Sequence, residues 1–179
     1  GARRAHLYVC GVFDAAKVER AIRTAFSGWV RGSEATVKPP TPVDHRQVEL
    51  LDRPDAVQSS LRVGLPVADP SSPDWIPLNV TDALLGGTFG SRITSNIRED
   101  KGYTYSPFSF VGSWPKAGLW VEVADVTTNV TGPSLKEIFY EIDRLRTEAP
   151  PETELTGIKN NMVGVFTIQN SSRSGVVNQ

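Results

Sequence analysis

Residues 84–106 read LLGGTFGSRITSNIREDKGYTYS, and the interpretation of the whole chain turns on this stretch. Gly86, Gly87 and Gly90 permit positive φ and close backbone approach, so a helix is expected to end at Gly86-Gly87 and a second to follow a tight corner. Ile93 and Ile97 stand four apart and give that second helix, from about Ser91 to Lys101, one apolar face. Gly102 is its natural stop, and a strand is expected from Tyr103 to Val111. The segment has neither a GxxxxGK[ST] pattern nor a GxGxxG after a strand, so it does not read as a phosphate cradle.

Upstream of the corner, a helix beginning near Trp75 or Ile76 points Leu78, Leu84 and Leu85 inward, behind the turn cluster Asp69 to Asp74. The chain opens with the apolar run LYVCGVF inside a predicted strand, His6 to Phe13. Asp14 then offers an N-cap oxygen to a helix through Val18, Ile22, Phe26 and Trp29. Gly32, Ser33, Pro39, Pro40 and Pro42 make Val30 to Arg46 an exposed connector. Gln47 to Arg53 and Val57 to Val67 alternate as two strands about a Pro54-Asp55 turn, which predicts a hairpin.

Downstream, Gly112 to Lys116 turns the chain into a strand from Gly118 to Val126, in which Leu119, Val121 and Val123 alternate with Trp120 and Glu122. Ser134 and Glu137 have capping-box spacing ahead of Leu135, Ile138, Ile142 and Leu145. After the Ala149-Pro150-Pro151 break, a last helix carries Leu155, Ile158, Met162, Val165 and Phe166. The order β-α-β-β-α-α-β-β-α-α predicts an α+β fold: an antiparallel or mixed sheet of about five to six strands with helices packed on one face.

The chain has 179 residues, within the range of one domain, and residues 1–179 are expected to form one. Nineteen Lys+Arg against twenty Asp+Glu leave a net charge of −1, which gives no pull toward nucleic acid or an anionic membrane. No apolar stretch reaches the roughly 18 to 20 residues of a membrane span. Cys10 is the sole cysteine, which excludes an internal disulfide, and its apolar neighbours suggest a small packed hydrophobe. His6 and His45 have no second ligand at three- or four-residue spacing, so no metal ligands are assigned. A strand pattern almost at residue 1 without an initiating Met, and a polar tract Ser171 to Gln179 after a helical segment, suggest a piece of a longer chain.

Arg98 and Tyr105, seven apart, are the candidate chemistry. A guanidinium on the last turns of a helix and a phenol on the following strand could aim at one point, where both suit a carbonyl oxygen that gains negative charge. The plainer alternative pairs Arg98 with Glu99 or Asp100 on a solvated face and leaves Tyr105 as an amphipathic core residue. An RNA-binding α+β module would expose Tyr103, Tyr105 and Phe108 on one strand, but the RNP1 pattern is missing and the charge is balanced.

LGGTFGSRITSNIREDKGYTYS resembles the LGG-x-x-x-SRL-x-x-x-LRE-x-x-G-x-x-YS segment of the pitrilysin/insulinase family of inverzincin metallopeptidases, in particular its mitochondrial-processing-peptidase-like bacterial members. LYVCGVFD resembles the VVGDFD start of that family's second domain, DRPDAVQSSLRVGLP its pxaxQxxixxgxp strands, and ELTGIKNNMVG its ExLxxAKxxLxG helix. Ile93 and Ile97 stand where leucine is usual, and Thr88-Phe89-Gly90 replaces a small polar loop.

The resemblance implies a second, non-metal-binding domain of a zinc peptidase. In the family, an H-x-x-E-H helix in the first domain binds zinc, its Glu acting as general base. The second domain of the facing half lends an Arg and a Tyr, which match Arg98 and Tyr105 as catalytic and substrate-binding residues, with Gly87 and Ser91 as further substrate contacts. Zinc is then expected only in the complete enzyme, from a domain of the same gene or of a partner subunit. The expected partners are a peptide or protein substrate and a second half, as a homo- or heterodimer. The isolated domain is expected to be inactive. Alternatively, the parent is a noncatalytic subunit that holds peptide and shapes the chamber. The compartment stays open between bacterial periplasm and cytoplasm.

Overall fold

Period-two alternation from Gln58 onward produces a sheet, and helical repeats on either side of it cover one face. The computed structural model describes residues 1–34 and 36–178; Ala35, in the connector, and Gln179, at the end of the polar tract, lie outside the described residues. Strands β1 (Gln58–Val67), β2 (Phe108–Trp114) and β3 (Ala117–Thr127) pair antiparallel in the order β1-β3-β2. Leu61 faces Ala124 across one ladder and Phe108 faces Val123 across the other. The β2–β3 turn is two residues, Pro115 and Lys116, with Lys116 at φ 64°.

The chain divides into two units: Pro39–Met162, which holds the sheet, and Gly1–Lys38 with Val163–Gln179. In the second of these, α1 (Ala15–Ala25) is capped by Asp14, whose carboxylate accepts from the Lys17 backbone N–H at 3.0 Å. Val18 and Ile22 are its half-buried positions. Ala2 and Arg3 donate backbone hydrogen bonds to Val30 and Arg31, and Arg3 also pairs with Glu34. A short helix, α5 (Arg173–Val177), is capped by Ser172.

In the sheet-bearing unit, α2 (Trp75–Asp82) runs on into a π-helical turn, Ala83–Gly87, and a second π-helical stretch spans Thr94–Asp100. Helix α3 (Thr131–Thr147) follows the sheet, and α4 (Glu152–Gln169) continues to Met162 within this unit and beyond it. Ile93, Ile97 and Ile138 have no exposed surface and pack with Leu61, Leu85, Trp120, Ala124 and Val126 as the main core. Burying a side chain of this size contributes about 1.5–3 kcal/mol. Arg92, its side chain 5% exposed, forms a two-pronged pair with Glu154 at 2.8 Å per contact, which ties the second π stretch to α4.

Three expectations change. The described residues form three strands in place of five to six: segments 6–13 and 47–53 join no sheet. Alternation fixes backbone shape, whereas a strand also needs a partner edge, and Val48, Leu50 and Leu51 are about nine-tenths exposed. Cys10 is likewise exposed. The inward face of β3 is Trp120, Glu122, Ala124 and Val126, with Leu119, Val121 and Val123 half-buried on the other side. Helix α3 starts at Thr131, three residues ahead of the supposed cap Ser134, because Pro133 lacks only an N–H that the first turn leaves unpaired in any case.

Under the Gly86-Gly87 corner lie two carboxyls, the half-buried Asp82 and the buried Glu122. Asp82 accepts hydrogen bonds from Ser109 Oγ at 2.5 Å and Trp120 Nε1 at 2.8 Å. Glu122 is 1% exposed, and neither of its oxygens has a hydrogen-bond partner. Burial, aided by the Asp82 charge, pushes Glu122 up to about 8, so at neutral pH it holds its proton. Burial raises Asp82 as well, against the opposing effect of its two donors.

An unfolded Glu ionises near 4.5, so between about pH 5 and 8 folding takes up a proton at Glu122 and stability falls as pH rises. The slope is expected to approach ~1.4 kcal/mol per pH unit and to vanish in Glu122→Gln. Urea midpoints at four pH values across that interval measure it, and a flat or rising wild-type profile would contradict the protonated state. A Cβ at Gly86 would lie 2.6 Å from Ser109 Oγ and 2.7 Å from Glu122 Oε2. Gly86→Ala is therefore expected to lower stability by roughly 1–3 kcal/mol in the same titration.

Candidate functional site

The corner is built by two helical ends and a broken strand. Gly86 and Gly87 close the first π-helical turn, and a Cβ on Gly87 would come within 2.7 Å of Asp82 Oδ2, so close packing requires glycine at both positions. The Thr88 hydroxyl donates to the Ala83 carbonyl at 2.9 Å and holds the chain as it leaves the corner. The second π-helical stretch ends at Lys101, and Gly102, at φ 64°, reverses the chain so that the Tyr103 N–H reaches the Ile97 carbonyl at 2.8 Å.

The strand expected from Tyr103 to Val111 is interrupted. Thr104 bridges Val126, whereas β2 resumes with Phe108 opposite Val123, so Tyr105, Ser106 and Pro107 stand against only Ala124 and Asp125. One extra residue on one side is a bulge, which bends the strand and re-aims side chains. Pro107 suits it because proline has no N–H to give a ladder. Tyr105 projects from the bulge and is 79% exposed, which removes it from the core. Tyr103, Tyr105 and Phe108 therefore do not form the single aromatic strand of an RNA-binding sheet.

The structure brings Arg98 and Tyr105 together. The guanidinium carbon of Arg98 lies 5.1 Å from the Tyr105 ring centroid and 4.4 Å from that of Phe89. Its Nε stands 3.2 Å from Glu99 Oε1, so the expected local ion pair is present beside the aromatic contacts. Among the described residues no acceptor engages the Nη nitrogens of Arg98. The supporting helical stretch is anchored elsewhere along its length. Asn96 Nδ2 donates to Glu141 at 2.7 Å and Glu137 at 3.2 Å, and Lys101 Nζ donates to Asn96 Oδ1 at 2.7 Å. These bonds to α3 fix the backbone while Arg98 stays only a quarter exposed.

Arg98 and Gly87 line a cavity of about 230 Å³ whose other walls are Gly86, Thr88, Phe89, Thr94, Ser106, Pro107 and Phe108. Ser91 stands behind this lining. It is 1% exposed and its hydroxyl donates to Thr94 Oγ1 at 3.0 Å, so it holds a wall residue in place. The sequence names Phe89 only as a loop departure and Phe108 only on a possible aromatic strand, and it gives Ser106, Asp82 and Glu122 no place in a site. The GG dipeptide beside a buried-strand Glu was the available signal. Among the described residues, no group of three or more His, Cys, Asp or Glu side chains is placed to hold a metal ion, so these side chains do not fit a zinc centre within the chain. Nor is any of their helices long and apolar enough to cross a membrane.

A zinc protease of Streptomyces coelicolor, itself uncharacterized, is 27% identical over 160 residues, which are 84% of this chain and 34% of that protein. The chain thus spans about a third of that relative's length. A crystal structure of a peptidase M16 inactive domain from Pseudomonas fluorescens matches with a TM-score of 0.63 at 25% identity, over 69% of this chain and 30% of that one. A protease from Helicobacter pylori shares the fold with a TM-score of 0.77 at 20% identity, over 93% of this chain and 41% of that one. The family described as Peptidase M16 inactive domain matches residues 1–162. With nine-tenths of its length covered by that match, the chain belongs to the Peptidase M16 inactive domain family.

Proposed function

We propose that this chain is the substrate-holding, non-metal domain of a zinc peptidase, and that Arg98 and Tyr105 serve a reaction centre whose metal ligands lie on a facing domain of the same protein or of a partner. The observation that carries this reading is the convergence of the two side chains, 5.1 Å apart as guanidinium carbon and ring centroid, with Arg98 lining a cavity that Gly86 and Gly87 also line. The metal ion of such a centre would supply the activation of water. This chain's own contribution is two hydrogen-bond donors. The Nη edge of Arg98 carries a fixed positive charge, and the Tyr105 hydroxyl, on an exposed ring, is a neutral O–H.

Both donors suit the carbonyl oxygen of a peptide, whose negative charge grows as the carbon becomes tetrahedral. Interactions that strengthen in that direction lower the barrier, and donors already held in place do so without reorganisation. Phe89 and the bonds from Asn96 and Lys101 provide that fixation for Arg98. Gly87 lies at the same cavity and lets a peptide backbone approach without a side chain in the way. Ser91 acts through Thr94.

In the full-length protein, Tyr105→Phe and Arg98→Ala are each expected to lower kcat/KM for peptide hydrolysis by about 10²–10³, with unfolding midpoints little changed. Tyr105→Phe keeps the ring that packs on the guanidinium and removes only the hydroxyl, so its loss isolates the donor. Wild-type rates in both variants would defeat the assignment. A parent protein that binds peptide without cleaving it would make the chain a holding subunit, with the same two residues read through affinity.

A further inference from the structure

Glu122 lies on β3, the central strand, where ladders on both sides fix the backbone. Both of its carboxyl oxygens are buried without a hydrogen-bond partner, and the Ala83–Gly87 turn covers them so closely that a Cβ on Gly86 would lie 2.7 Å from Oε2. We propose that this carboxyl is a proton-operated latch: the turn closes over its neutral form, and loss of the proton releases the turn, carrying Gly87 and Thr88 away from the sheet. The latch is independent of any part the chain plays in hydrolysis.

A carboxylate that is ionised, dry and unpaired is costly, and among the described residues no cation on the packed elements answers this one. β1 sets Val63 opposite it and β2 sets Ser109, and neither β2 nor the turn carries a titratable residue. α2 contributes Asp82, whose negative charge opposes a second one beside it. Arg62 of β1 pairs with Asp125, Arg92 with Glu154 and Arg98 with Glu99. Lys101 of the second π stretch pairs with Glu137 of α3, and Arg144 of α3 with Glu141. The remaining charged groups of these elements, Asp74, Asp100, Lys136, Asp143 and Arg146, are exposed.

The turn is the element that can give. The bonds from Ser109 and Trp120 both land on Asp82, ahead of the turn, and the Thr88 hydroxyl bonds back to the Ala83 carbonyl and so travels with it. Past Asp82 the hold is the burial of Leu84 and Leu85, which keeps the open form rare. In the closed form burial, aided by Asp82, keeps the carboxyl neutral up to about 8, whereas in water it ionises near 4.5. Opening therefore releases a proton across that interval, and the open fraction rises with pH.

Hydrogen exchange read by mass spectrometry on the full-length protein, with and without low urea, separates this local opening from global unfolding. Between about pH 5.5 and 7.5, and after correction for intrinsic exchange rates, protection of amides 84–88 is expected to fall about tenfold per pH unit. It is expected not to respond to low urea, because little surface is exposed, whereas β3 amides respond to both. In Glu122→Gln the pH response of amides 84–88 disappears. Asp82→Asn keeps an acceptor for Ser109 and Trp120 but removes the neighbouring charge, so its response ends at a lower pH. Protection of amides 84–88 that ignores pH, that follows urea as β3 does, or that keeps its pH response in Glu122→Gln overturns the latch. Should Glu122→Gln fail to fold, an Asp82→Asn response identical to wild type overturns it.

Discussion

Gly86 approaches β2 and β3 more closely than any side-chain-bearing residue could, and the arrangement of the corner follows from that contact. A methyl group there would collide with both Ser109 and Glu122. With hydrogen in its place, the end of the first helix settles onto the sheet and Leu84 and Leu85 become buried. The chain can then turn within Thr88 to Gly90 and send Ile93 and Ile97 back into the same core. The cost is a carboxyl pair out of water, offset on Asp82 by two donors and on Glu122 by keeping its proton.

The two side chains at the rim are held by different means. Arg98 belongs to a helical stretch pinned through Asn96 and Lys101 to α3 and through Arg92 to α4, so its backbone has little freedom. Tyr105 has no such anchor. It projects from a bulge bounded by the Thr104–Val126 bridge and the first β2 pair, and its ring meets the guanidinium in an exposed cation–π contact, an interaction that contributes only about 0.5–1 kcal/mol. The guanidinium is thus held at its backbone by two helices, whereas the phenol rests on its ring contact alone.

What could be read in the sequence was what local chemistry dictates. Asp14 caps its helix, Gly102 takes positive φ, Ile93 and Ile97 fall on one buried face, and Arg98 meets Tyr105, as spacing and resemblance suggested. What could not be read depends on neighbours distant in the chain. Alternation in β3 gives two faces but not which is covered, and the covered one carries Glu122, whose carboxyl bonds to nothing. The apolar run in 6–13 and the alternation in 47–53 were equally clear, yet no edge pairs with them. The bulge at Tyr105 needed the register of two ladders, which no single segment encodes.

The Thr94–Asp100 stretch is π-helical, a coil that winds more loosely than an α-helix because its bonds reach back five residues. Such a coil holds one residue more than the ordinary spiral would over the same path. Losing a residue between Ile93 and Arg98 would let it tighten into the commoner form over the same path, and the guanidinium would keep its aromatic neighbours; the same loss from an ordinary helix would swing every later side chain by about 100° around the axis. This stretch thus carries a residue of slack that can be shed without turning the site.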